Sequence, residues 1–216
     1  MQKILILVLV LLFIPLGCEK REKNTLDTSN LKKNDQNLSK LTKEQRKMIP
    51  IPYESSSLEE GLRALPFTIK IPNKLPFKVE PIKSLSIDDV GHNGKKLSVH
   101  YYLSHIKNPK FFVMYVTIKN YNPEFEPDYD SEETNEIVQL KDGVSGTYTG
   151  DSSSLGVSYN VDKTKKADAD DFEKNLIQNT LIFEKAGLYY ELAFVANNGT
   201  KEQTKQTVTN IANQIM

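Results

Sequence analysis

Few residues in this 216-residue chain are of types that do chemistry, and each comes with a spacing that limits what it can do. Serines 152–154 lie in GDSSSLG, which lacks the G-x-S-x-G elbow that presents a nucleophile, and no histidine is set beside them by spacing. They read as a turn-rich loop. His100 and His105 are five apart on a predicted strand and its exit, so they point to opposite faces; His92 stands alone in a turn. With no HExxH and no cysteine cluster, zinc ligation is not expected. The stretch EFEPDYDSEETNE, residues 124–136, carries seven carboxylates. Hard oxygen ligands at alternating positions suit calcium, and Asp128, Asp130 and Glu132 are the metal candidates. A calcium loop of the EF-hand kind starting at Asp128 would need glycine sixth and glutamate twelfth, and it finds Glu133 and Gln139. The stretch reads as an acidic, proline-broken surface loop. No cofactor and no catalytic residue are expected.

The single thiol, Cys18, is placed differently. Lys3 precedes an apolar run from Ile4 to Leu16, and Glu19, Lys20, Arg21, Glu22 and Lys23 follow the cysteine at once. As helix the run would span roughly 20 Å, short of a hydrocarbon core of about 30 Å. That length and those flanks fit an export signal rather than a membrane span. Gly17-Cys18 at the end of the run resembles the lipobox of bacterial lipoproteins. The resemblance implies that a diacylglyceryl group is added to the Cys18 thiol and that cleavage follows before it. The expected organisation is a signal peptide at 1–17, then lipidated Cys18 with a disordered basic tether to residue 48, then an extracytoplasmic domain at 49–216. The expected location is the outer face of the cell membrane, held by membrane lipid through acylated Cys18. Removal of the leader leaves no second cysteine for a disulfide.

Charge supports a tether and a body. Residues 19–47 hold nine Lys/Arg against five Asp/Glu, and residues 48–216 hold 18 against 23. The whole chain balances at zero, and its arginines are Arg21, Arg46 and Arg63 alone. Nucleic acid is therefore not an expected partner, since no basic excess is present to neutralise phosphates.

The elements that must position any site follow from periodicity. Ser57-Leu-Glu-Glu60 is a capping box, and Leu58, Leu62 and Leu65 predict a short helix over 58–64 that Pro66 ends. LPFTIKIP (65–72) alternates like a half-buried strand, with LPFKVEPI (75–82) a near copy. Further strands are predicted at 96–104, 111–119, 136–140, 145–150, 155–161, 179–184 and 188–196, the last two joined by a hairpin at Lys185-Ala186-Gly187. Thr200-Lys-Glu-Gln203 opens a closing helix whose Val208, Ile211, Ala212 and Ile215 form one stripe. The expected fold is α+β: an antiparallel meander with a short N-terminal helix and a C-terminal helix packed on one face.

The segments PFTIKIPNKLPF, VQLKDGVSGTY, LIFEKAGLYYELAF and TVTNIANQI together resemble an uncharacterised extracytoplasmic domain family of Gram-positive lipoproteins. The resemblance covers about 66–216 and brings no catalytic residues. The functional expectation is a non-catalytic envelope module that binds a partner protein or envelope component through tyrosine-bearing strands, where Tyr101, Tyr102, Tyr115, Tyr189 and Tyr190 lie. The alternatives are a lipid- or small-ligand-binding domain, or a metal-dependent hydrolase using residues 124–136.

Overall fold

Two-residue alternation builds the sheet of this molecule. The computed structural model describes residues 24–34, 41–75, 77–107, 110–123, 134–150, 177–196 and 200–216. Its strands are β1 (Leu31–Lys33), β2 (Ile51–Ser55), β3 (Ser86–Asp89), β4 (Leu97–Lys107), β5 (Lys110–Lys119), β6 (Thr134–Gln139), β7 (Ser145–Gly150), β8 (Ile177–Lys185) and β9 (Leu188–Ala196). Among the described residues three α-helices accompany them: α1 (Lys43–Met48), α2 (Leu58–Ala64) and α3 (Lys201–Ile215). The strands form one nine-stranded sheet in the order β1-β2-β3-β4-β5-β9-β8-β7-β6, antiparallel at every pairing. The α+β class is as the sequence implies. The single meander resolves into two, β1–β5 and β6–β9, joined where β5 pairs with β9.

Register places one apolar residue per strand in line across the sheet. Ile87, Val99, Ile118, Tyr190 and Phe183 are successive cross-strand partners on the inner face, and each is buried. The stripe Val208, Ile211, Ala212 and Ile215 of α3 is buried in the same core. Thr200 caps α3 with a reciprocal box: its hydroxyl accepts from Gln203 N, and the Gln203 side chain accepts from Thr200 N. Gln214 near the other end of α3 accepts from Asn73 N and Lys74 N and donates to Lys74 O.

That clamp corrects one expectation. The 65–72 segment alternates as predicted, yet it is not a strand. Pro66 and Pro72 remove ladder donors, and the segment runs as a strap with Leu65 and Ile69 in the core and Phe67 and Ile71 packed against it.

The tether expectation is corrected as well. Residues 24–34 belong to the fold: β1 pairs with β2, Leu26 is buried, and Leu26 N donates to Gly94 O while Asp27 N donates to Ala64 O. α1 follows from a capping box between Thr42 and Gln45, with none of its residues buried. Backbone pairing and one leucine order a segment whose composition reads as unfolded. The predicted strand at 155–161 lies outside the described residues.

Both sheet edges are blunted against further pairing. β1 is three residues long and carries Lys32 and Lys33. β6 turns Glu136 toward α3, where Lys205 and Lys201 meet it. Short edges and inward charges are the usual means of preventing edge-to-edge association.

Candidate functional site

α2, α3 and the strap supply the cover of the inner face, and the other face of the sheet holds the residues that alternate out of that core. On β4 these are Ser98, His100 and Tyr102, opposite Lys119, Thr117 and Tyr115 of β5. Beyond them β9 contributes Tyr189, Glu191 and Ala193, and β8 contributes Glu184, Ile182 and Thr180. The sequence-predicted tyrosines divide between the faces. Tyr101 and Tyr190 are in the inner core, while Tyr102, Tyr115 and Tyr189 are on the outer face.

An aromatic ladder forms the centre of this face. The Tyr102 and Tyr115 rings lie 4.7 Å apart at 46°, and the His100 ring stacks on Tyr115 at 5.3 Å and 9°. His100 Nδ1 is 3.2 Å from Thr117 Oγ1, and its Nε2 is 3.2 Å from Asp88 Oδ2. The second is a close contact rather than a hydrogen bond, and Nε2 has no hydrogen-bond partner among the described residues. Lys119 Nζ and Glu191 Oε2 pair at 3.5 Å alongside. Burial, with Tyr102, Asp88 and Glu191 nearby, pushes the Tyr115 phenol well above its ordinary value, and burial beside Asp88 raises Tyr121. Both therefore stay neutral hydrogen-bonding groups.

Hydroxyl, imidazole and carboxylate in one line suggest a nucleophilic relay, but two features oppose that chemistry. Thr117 is buried. The backbone N–H groups of β4 and β5 lie in the sheet plane within ladders, so none is aimed at an oxyanion above the face. What the arrangement offers is an aromatic and polar surface. Tyr102 is 60% exposed, Ile137 67% and Ile182 36%. Ser98 Oγ, His100 Nε2 and Thr180 Oγ1 are shielded on this face and have no hydrogen-bond partner among the described residues.

The chain matches no protein-family profile, no curated protein and no solved structure. The functional reading therefore rests on its own residues.

The remaining predicted positions are dispersed. His105 is on the inner side, where Nδ1 donates to Lys78 O at 2.6 Å and the ring lies 5.6 Å from Phe77. His92 has φ 57° in the β3–β4 turn, and its Nε2 donates to Ile49 O at 2.8 Å. Cys18, Asp128, Asp130 and Glu132 and the serine loop lie outside the described residues. Glu136, the last carboxylate of the acidic stretch, is a β6 residue tied to α3. Among the described residues no three of His, Cys, Asp and Glu converge as a metal site.

Sequence reading missed Asp88, Thr117, Ile137 and Ile182. A signal for part of this exists in the adjacent apolar pairs Tyr101–Tyr102, Ile137–Val138 and Leu181–Ile182. A strand with one solvated face should alternate, and these pairs put an apolar side chain on both faces.

Proposed function

We propose that this protein is a lipid-anchored, non-catalytic envelope module that engages a partner protein through the outer face of its sheet. The observation that carries the reading is that face itself. Exposed Tyr102, Ile137 and Ile182 share it with shielded Ser98 Oγ and Thr180 Oγ1, which have no hydrogen-bond partner among the described residues. Aromatic side chains with a polar tip give large contact area at low entropic cost, which suits a recognition surface. The Gly17-Cys18 pair after an apolar run supports anchoring, with the thiol as the site of acylation. Among the described residues no helix is long and apolar enough to cross a membrane.

Both halves are testable in the cell. A palmitate analogue labels the wild type and leaves Cys18→Ala unlabelled. A photo-crosslinking residue at position 102 traps one discrete protein adduct, while the same residue at Thr68, exposed on the strap, traps none. Equal labelling of wild type and Cys18→Ala removes the anchor. Equal adducts at 102 and 68, or none at either, remove the face.

A further inference from the structure

Residues of the fold lie much closer to Cys18 than the composition implies, and this bears on which end of the body meets the membrane. Resting on the reading of Cys18 as the lipid anchor, we propose that the protein docks on an anionic bilayer surface through the end of the sheet formed by α1 and the β3–β4 turn.

Asn24 starts the described chain, six residues after Cys18. Six residues fully extended reach about 20 Å, so the start of the body cannot stand farther than that from an acylated cysteine. Leu26, two residues on, donates to Gly94 O in the β3–β4 turn, and a Cβ on Gly94 would lie 3.0 Å from Leu26 N. That same turn holds His92, whose ring donates to Ile49 O at the end of α1. Leu26, the turn and α1 are thus joined at one end of the sheet.

The composition of that end suits a lipid headgroup layer. Lys43, Arg46 and Lys47 on α1 and Lys95 and Lys96 in the turn are exposed, against the exposed Glu44. Asp89 at the base of the turn is buried, and its carboxylate accepts from Asn93 N and Gly94 N, so its charge is engaged inside the turn. Among these cations stand two apolar side chains without cover, Met48 at 86% and Ile49 at 39% exposure. α1 buries none of its residues, so the fold's core does not account for its apolar end. Basic residues within a Debye length of an anionic leaflet are attracted to it, and apolar side chains among them can enter the headgroup boundary.

The opposite end of the molecule provides the control. α3 has 15 residues, so Glu202 in its first turn stands about 20 Å from its C-terminus. Asn213 at that C-terminus accepts from Lys141 N in the β6–β7 turn, which shares the membrane-facing end.

The test uses the full lipidated chain in vesicles of phosphatidylglycerol and phosphatidylcholine with a headgroup quencher. A dye is attached at Met48→Cys or at Glu202→Cys, and acylation is scored on the same sample by palmitate-analogue incorporation. The expected result is at least twofold stronger quenching at 48 than at 202. It falls about twofold when Lys95 and Lys96 become Glu, or when phosphatidylglycerol is omitted. Equal quenching at 48 and 202 on an acylated sample overturns the docking orientation and leaves the anchor standing. A wild type that carries no acyl label overturns the anchor reading and this inference with it.

Discussion

An ideal Cβ on Gly61 would sit 2.7 Å from Ser55 Oγ and 2.9 Å from Leu85 Cγ. The obstacle is rigid, because the Ser55 hydroxyl is itself held by Leu85 N at 2.8 Å. Alanine would improve helix propensity in α2 by about 1 kcal/mol, while forcing a packed interface apart costs about 1–3 kcal/mol. Overpacking wins. Gly61→Ala is expected to lower stability by up to about 2 kcal/mol, read as a lower urea midpoint with an unchanged slope. A gain in stability would mean that α2 can move away from β2. The contrast between Tyr101 and Tyr102 belongs at the same scale. Strand parity assigns the two to opposite faces, but only register with β3 and β5 says which of them is in the core.

Among the elements, β4, β5, β9 and α3 were legible because each carries enough apolar residues in period to declare itself. β1 was not. Its ordering comes from ladder bonds to β2 and from Leu26 tucked under Gly94, neither of which has a sequence period. The strap was misread for the converse reason: it has a strand's alternation but prolines where ladder donors are needed. The outer face was half legible. Its tyrosines were named, whereas the Asp88–His100–Thr117 line depends on pairing between three strands that spacing along the chain does not reveal. The correction at β1 yields a prediction. Leu26→Ala should cost about 2–4 kcal/mol, as for other buried leucines, measured by thermal or urea unfolding. A change within about 0.5 kcal/mol, the range usual for surface positions, would restore the tether reading of residues 24–34.

For the molecule as a whole, the two carboxylate–lysine ties at its margins set a pH dependence. Hydrogen bonding and charge from Lys205, with Lys201 beside it, hold the Glu136 carboxyl below its ordinary 4.5, and Lys185 holds Asp142 below 3.8. A depressed folded-state value means the unfolded chain binds protons first on acidification. The contribution is therefore fully present above about pH 4.5 and is lost as pH falls through the folded-state values. Glu136→Gln should lower the melting temperature near neutrality and flatten its decline between pH 5 and 3, with both effects shrinking in high salt. An unaltered acid limb would show that the β6–α3 tie contributes nothing.

On the proposed reading one sheet presents two surfaces, an end docked at the membrane and a face turned to a partner. The outer face is then covered in the cell and open in the isolated protein. Ile182 is on β8, two strands from Tyr115, or about 10 Å at ordinary strand spacing. A thiol placed there by Ile182→Cys, with Thr68→Cys as the control on the strap, can be labelled with a membrane-impermeant maleimide on intact cells and on purified protein. The account predicts that position 182 reacts at least severalfold more slowly on cells than when purified, while position 68 reacts at the same rate in both. Equal rates at position 182 in the two settings would contradict it.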